Sequence, residues 1–126
     1  QADAACGQCA AVVLAVGHGK IRGAAVGDCG ACMLGPDART ILAGGGRHPF
    51  LGSGEAVPRP FVADRAPCRL LVATDGLFRY ASQEDVWSAA LEGDADEAAA
   101  ALVSLVELSS GALQDDVAIV LCEIAG

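Results

Sequence analysis

Two kinds of residue in this 126-residue chain could do chemistry: acidic residues abutting apolar runs, and cysteines in pairs. Asp28 follows the run IRGAAV, Asp75 follows CRLLVAT, and Asp115-Asp116 immediately precede VAIVLCEI. Strands of one sheet can bring such ends together, and clustered carboxylates without His or Cys favour hard cations such as magnesium or manganese. Two such ions side by side can hold a hydroxide that attacks phosphorus in line. Each acid also has a plainer reading. Asp75-Gly76 is a common turn pair, Asp115-Asp116 suit the solvated end of a strand, and Gly27-Asp28 suits a turn.

The cysteines pose a separate question. Cys6-Gly7-Gln8-Cys9 and Cys29-Gly30-Ala31-Cys32 form two C-x-x-C pairs separated by 19 residues, a spacing within the range of structural zinc sites. Cys68 and Cys122 sit inside apolar runs, where cysteine serves as a small hydrophobe. The same service is expected of Cys6, Cys9, Cys29 and Cys32, with a zinc-stabilised interaction domain as the alternative. A hairpin turning around His18 sets Cys9 roughly across from Gly27. Neither His18, in a turn, nor His48, before Pro49, has a ligand set beside it in the sequence. Phe78 and Trp87 read as core anchors.

Composition narrows the partners. Eight Lys and Arg against 16 Asp and Glu give a formal net charge of −8, and the basic residues are scattered. Nucleic acid and anionic membranes both require clustered positive charge, so neither is expected to bind. No apolar run approaches the length of a membrane span, and no basic segment precedes an apolar stretch near Gln1. A cytoplasmic setting with reduced cysteines is therefore expected. The length suffices for one domain, residues 1–126, with a core built mainly from Val, Leu, Ile and Ala.

The elements that must position these residues are readable in outline. CAAVVLAV and IRGAAV read as two strands joined at Gly17-His18-Gly19-Lys20, with ACML as a third strand of a meander. Residues 43–60, with Gly44-Gly45-Gly46, Gly52, Gly54 and three prolines, read as a long surface loop. CRLLVA is a buried strand ending in a sharp turn at Asp75-Gly76. Ser82 with Asp85, and Asp94 with Glu97, mark two helix starts. Their inward stripes are Val86, Trp87 and Leu91, then Leu102, Leu105, Val106 and Leu108, with Gly111 as the stop. VAIVLCEI reads as a final, central strand.

The order of these segments resembles the metal-dependent serine/threonine protein phosphatases, the type-2C or PPM family, and particularly the bacterial branch that includes the sporulation stage II phosphatases. Gly7-Gln8-Cys9-Ala10, Gly27-Asp28-Cys29, Thr74-Asp75-Gly76-Leu77 and Asp115-Asp116 match, in order, that family's Gly-Ser-Thr-Ala-like strand start, Gly-Asp-Ser, Thr-Asp-Gly-Leu and Asp-Asn or Asp-Asp motifs. The resemblance spans nearly the whole chain. It implies an α+β, four-layer α-β-β-α sandwich of the type-2C kind, and hydrolysis of phosphoserine or phosphothreonine on proteins by a metal-bound hydroxide.

Carried over, Asp75 and Asp115 would be catalytic metal ligands of a manganese or magnesium pair, with Asp28 and Asp116 as further metal-site carboxylates. The family's ligand for a third metal falls at Arg79, which is instead expected to meet substrate phosphate or pair with Asp28. The glycine-rich segment 43–60 resembles the flap beside the cleft. The family's metal-bridging Asp-Gly turn has no counterpart in residues 1–8. The fold is thus expected to be present incompletely, as a C-terminal portion inactive alone, with self-association through exposed strand edges. A catalytically dead, phosphatase-like regulatory or binding module is the rival reading.

Overall fold

The computed structural model describes residues 10–44, 57–108, 110–113 and 115–125. Strand β1 (Ala11–Val16) and strand β2 (Lys20–Val26) form an antiparallel hairpin whose register runs from Val16 opposite Ile21 to Ala11 opposite Val26. The turn closes where the Gly17 N–H donates to the Lys20 carbonyl at 2.8 Å. Cys6 and Cys9 lie outside the described residues.

The chain then changes sheets. Gly27 adopts φ of 81°, a left-handed conformation that glycine enters without a Cβ clash. Strand β3 (Gly30–Leu34) therefore leaves the expected meander and enters a second sheet with β4 (Arg39–Ala43), β6 (Cys68–Ala73) and β7 (Ile119–Ile124). The remaining strand, β5 (Arg59–Asp64), joins the first sheet beside β2. The sheet orders are β1-β2-β5 and β4-β3-β6-β7, antiparallel throughout.

Successive residues of a strand face opposite sides, and in the central strands β3 and β6 of the second sheet both sides are covered. Met33 and Leu70 point between the sheets onto Ile21, with Leu14, Leu42 and Ala63 packed around them. Their neighbours Cys32 and Leu71 point the other way, into a core with Val86, Trp87, Leu102 and Val106. This explains why ACML and LLVA are unbroken apolar runs rather than alternating ones. Leu70 and Leu71 are 1% and 0% exposed, and each such burial stabilises the fold by about 1.5–3 kcal/mol.

Helices α1 (Asp75–Tyr80), α2 (Gln83–Ala90) and α3 (Ala95–Ser104) form the layer over that outer core. The sequence signals for α2 and α3 are realised. The Ser82 hydroxyl accepts from the Asp85 N–H, and Asp94 with Glu97 forms a reciprocal capping box. Arg69 clasps the far end, bonded to Glu123 Oε1 at 2.6 Å and donating to the carbonyls of Ala90, at 3.0 Å, and Gly93. The described residues thus make an α+β arrangement of helices, sheet and sheet.

Several expectations are corrected. Helix α3 ends at Ser104, well before Gly111, because residues after it enter a Glu107–Leu113 bridge. Leu91, at the end of α2, and Leu108, beyond the end of α3, lie exposed rather than on the inward stripes. Among the described residues β7 is an edge strand, not a central one. The segment 43–60 expected as loop is flanked by two strands that were not expected, β4 ending at Ala43 and β5 beginning at Arg59, while residues 45–56, including His48, lie outside the described residues.

Candidate active site at the carboxylate end of the second sheet

Strand registers decide which acids meet. Gly30 pairs with Ala73 across β3 and β6, so two residues further out Asp28 comes level with Asp75. Ala73 pairs with Ile119 across β6 and β7, so the residues just beyond, Asp75 and the segment 115–117, flank each other. The four sequence-predicted residues Asp28, Asp75, Asp115 and Asp116 therefore share one end of the four-stranded sheet. Asp28, Asp75 and Asp115 are half-buried and Asp116 is exposed.

The expected sharp turn at Asp75-Gly76 is instead the first turn of α1, where a carboxylate complements the helix dipole. Thr74 is the N-cap, yet its hydroxyl does not cap the helix. It accepts from the Ala118 N–H at 3.0 Å, while the Thr74 N–H donates to the Ala118 carbonyl at 3.1 Å. This two-way link ties the segment after Asp115-Asp116 to the root of α1. Gly76 allows the approach, since a Cβ there would lie 2.5 Å from the Asp116 carbonyl oxygen. Asp115 accepts the Asp116 N–H at 2.8 Å, which fixes its carboxylate over its own backbone.

Arg79, one helical turn beyond Asp75, reaches back to it with Nη2 at 3.3 Å from Oδ2. Its guanidinium is held in the charged form more firmly than usual by a hydrogen bond with Tyr80, then by the charges of Asp75 and Asp115. Beside these residues opens a cavity of about 420 Å³. Asp28, Asp75, Arg79 and Gln83 supply its polar wall, and Cys32, Phe78 and Trp87 are among its apolar residues. Sequence reasoning placed Phe78 and Trp87 in the core. Trp87 is buried there, and both also face this cavity. Nothing in the local sequence pattern marks Cys32 or Trp87 as cavity-lining, because the cavity forms between β3 and the helices.

The donor chemistry suits a hard divalent cation, but the donor number does not. Among the described residues no three His, Cys, Asp or Glu side chains lie together as a metal-ligand group. Two thiols behave as core groups: Cys29 donates to the Val26 carbonyl at 3.5 Å, and burial pushes the Cys29 thiol up and that of Cys32 up to about 12. Metal binding requires the opposite, an accessible thiolate. Cys68, by contrast, is half-buried, and Cys122, expected as a small hydrophobe, is exposed on the edge strand β7. Among the described residues no helix is long and apolar enough to cross a membrane.

Comparison with known proteins places the fold. No family model and no curated protein matches the sequence. Solved structures do match. The catalytic domain of the serine/threonine protein phosphatase PstP in complex with two manganese ions aligns with TM-score 0.76 and 19% identity, over 90% of this chain and 57% of that one. The Mycobacterium tuberculosis serine/threonine phosphatase PstP/Ppp aligns with TM-score 0.78 and 16% identity, over 90% and 58%. The PPM serine/threonine phosphatase MsPP from Mycobacterium smegmatis, in complex with cacodylate, aligns with TM-score 0.68 and 21% identity, over 83% and 56%. The chain thus has the fold of the PPM-type serine/threonine phosphatases and spans somewhat over half the length of these structures.

Proposed function

We propose that this chain is the carboxylate-bearing part of a metal-dependent protein phosphatase domain that hydrolyses phosphoserine and phosphothreonine. The observation that carries the reading is the convergence of Asp28, Asp75 and Asp115-Asp116 at one sheet end in a fold shared with a manganese-bound phosphatase. In this reading Asp75 and Asp115 are ligands, and Asp28 and Asp116 stand in support. Manganese or magnesium, when bound, would supply the charge that polarises a phosphoryl group and activates water. The described residues do not bring together enough carboxylates for a two-metal centre. The chain's own residues therefore contribute ligand positions and the cavity wall, and a bridging carboxylate must join them before turnover.

A second reading has its own support. The absence of a three-donor group among the described residues, with Arg79 on Asp75, suits a phosphatase-like module that binds a partner without hydrolysis.

Calorimetry separates ligand from bystander. Residues 1–126 should bind manganese weakly, and Asp75→Asn should weaken the binding further. The same chain should hydrolyse p-nitrophenyl phosphate negligibly, whereas a protein carrying a bridging aspartate beside it should turn over until Asp75→Ala or Asp115→Ala abolishes the activity. Manganese affinity indifferent to Asp75→Asn would overturn the assignment. A metal-loaded, folded and inert longer protein would favour the binding module.

A further inference from the structure

We propose that the cavity between β3 and the helices is a docking site for a peptide segment that carries adjacent apolar side chains flanked by basic residues. Such docking goes beyond the phosphatase reading and involves no metal, so it holds for a hydrolytic domain and for a binding module alike. The cavity measures about 420 Å³, within the range of pockets that enclose ligands rather than single waters. Its floor is apolar and buried, with Cys32, Val86 and Trp87 facing it, while Ile41 and Gln83 stand exposed at its rim. Ile41 leaves 57% of its surface to solvent there. Among the described residues no polar or charged residue is buried, so the floor selects an apolar occupant over a polar one.

Charge at the mouth selects among apolar occupants. Asp28 and Asp75 line the cavity, and Asp115 and Asp116 share the same sheet end. The guanidinia beside them are Arg79, on the lining, and Arg59, which donates to the Gly27 carbonyl at 3.0 Å. Four carboxylates against two guanidinia leave the mouth negative, in a chain whose formal net charge is −8. An uncharged apolar molecule gains nothing from that field, and an acidic one is repelled. A peptide with lysines beside its apolar side chains gains twice, since the apolar groups leave water and the ammonium groups meet carboxylates. A second copy of this chain would bring its own negative charge, which opposes association.

Trp87 is the one tryptophan of the chain and lines the cavity, so its emission reports occupancy. The probes are three acetylated and amidated peptides, Lys-Leu-Leu-Lys, Glu-Leu-Leu-Glu and Lys-Ser-Ser-Lys, titrated at low salt without metal. Lys-Leu-Leu-Lys should change the emission saturably and move amide signals of residues 30–32, 41–43 and 78–87. Glu-Leu-Leu-Glu should bind about tenfold more weakly, a gap that shrinks at high salt. Lys-Ser-Ser-Lys should bind about a hundredfold more weakly, having lost both apolar side chains. Ile41→Arg, a change at the exposed rim, should weaken Lys-Leu-Leu-Lys about tenfold, and the peptide series on the parent decides the matter even where that variant fails to fold. Equal binding of Lys-Leu-Leu-Lys and Glu-Leu-Leu-Glu would make this a site for any apolar molecule and overturn the basic partner. Trp87 emission that varies with protein concentration alone would assign the cavity to a second copy instead. A silent Trp87, or shifts confined to another face, would overturn the docking site itself.

Discussion

Gly76→Ala tests whether helix α1 and the Asp115-Asp116 segment are held in mutual contact. An added Cβ would lie 2.5 Å from the Asp116 carbonyl oxygen and 3.1 Å from Val117 Cγ2, where ordinary contact begins at 3.4 Å, so the two backbones must part by about 0.9 Å. The obstacle is main chain and cannot rotate away. The same segment is bound two residues on, where Ala118 exchanges hydrogen bonds with Thr74 at 3.0 and 3.1 Å. Overpacking of this kind costs about 1–3 kcal/mol, and straining one of those bonds adds up to about 1 kcal/mol. Alanine's better helix propensity returns about 1 kcal/mol. The expected net loss is about 2 kcal/mol, or a fall in Tm of roughly 8 °C for a chain of this size. Thermal denaturation measures the loss, and amide chemical shifts of residues 116–118 locate it. An unchanged or raised Tm with unmoved shifts would refute the contact, and a lowered Tm with unmoved shifts would place the cost elsewhere.

Arg69→Ala removes the clasp between β6, β7 and the turn after α2, and with a side chain only 13% exposed the lost charge-assisted bonds should cost about 2–3 kcal/mol. Urea denaturation checks this, and a loss under about 0.5 kcal/mol would show the clasp to be incidental. Cys32 gives a pH dependence with a definite sign. Its folded thiol is pushed up to about 12 from an ordinary 9.0, so its contribution is fully present below pH 9 and is lost as pH rises toward 12, by up to about 1.4 kcal/mol per pH unit. Stability measured from pH 8 to 10.5 should fall less steeply in Cys32→Ala than in the parent, and identical slopes would contradict the burial argument.

Local signals in the sequence carried much of this molecule. The caps at Ser82 and Asp94 were legible because a side chain and a backbone N–H three residues on decide a helix start between them. The strands rich in Val, Leu and Ala were legible as apolar runs, and the acids at their ends as a shared layout. Two strands were not. β5 contains Pro60, which reads as a breaker but is tolerated on an edge. β4 is five residues long, with its first three exposed, and shows little pattern.

What the sequence by itself determined was therefore the inventory: a Val-, Leu- and Ala-built α+β chain with acids beside strand ends and capped helices after Asp75. The tertiary structure decided the partnerships. That β3 leaves the first hairpin for a second sheet depends on a left-handed Gly27 and on burial of both faces of ACML against elements far along the chain. Only the β3–β6 and β6–β7 registers set Asp28, Asp75 and Asp115 at one end. Only the packing of the helices beside β3 gives the cavity its walls. These are contacts between residues separated by tens of positions, whose free energy comes from packing and pairing that no local stretch contains, so neither period nor propensity could have announced them.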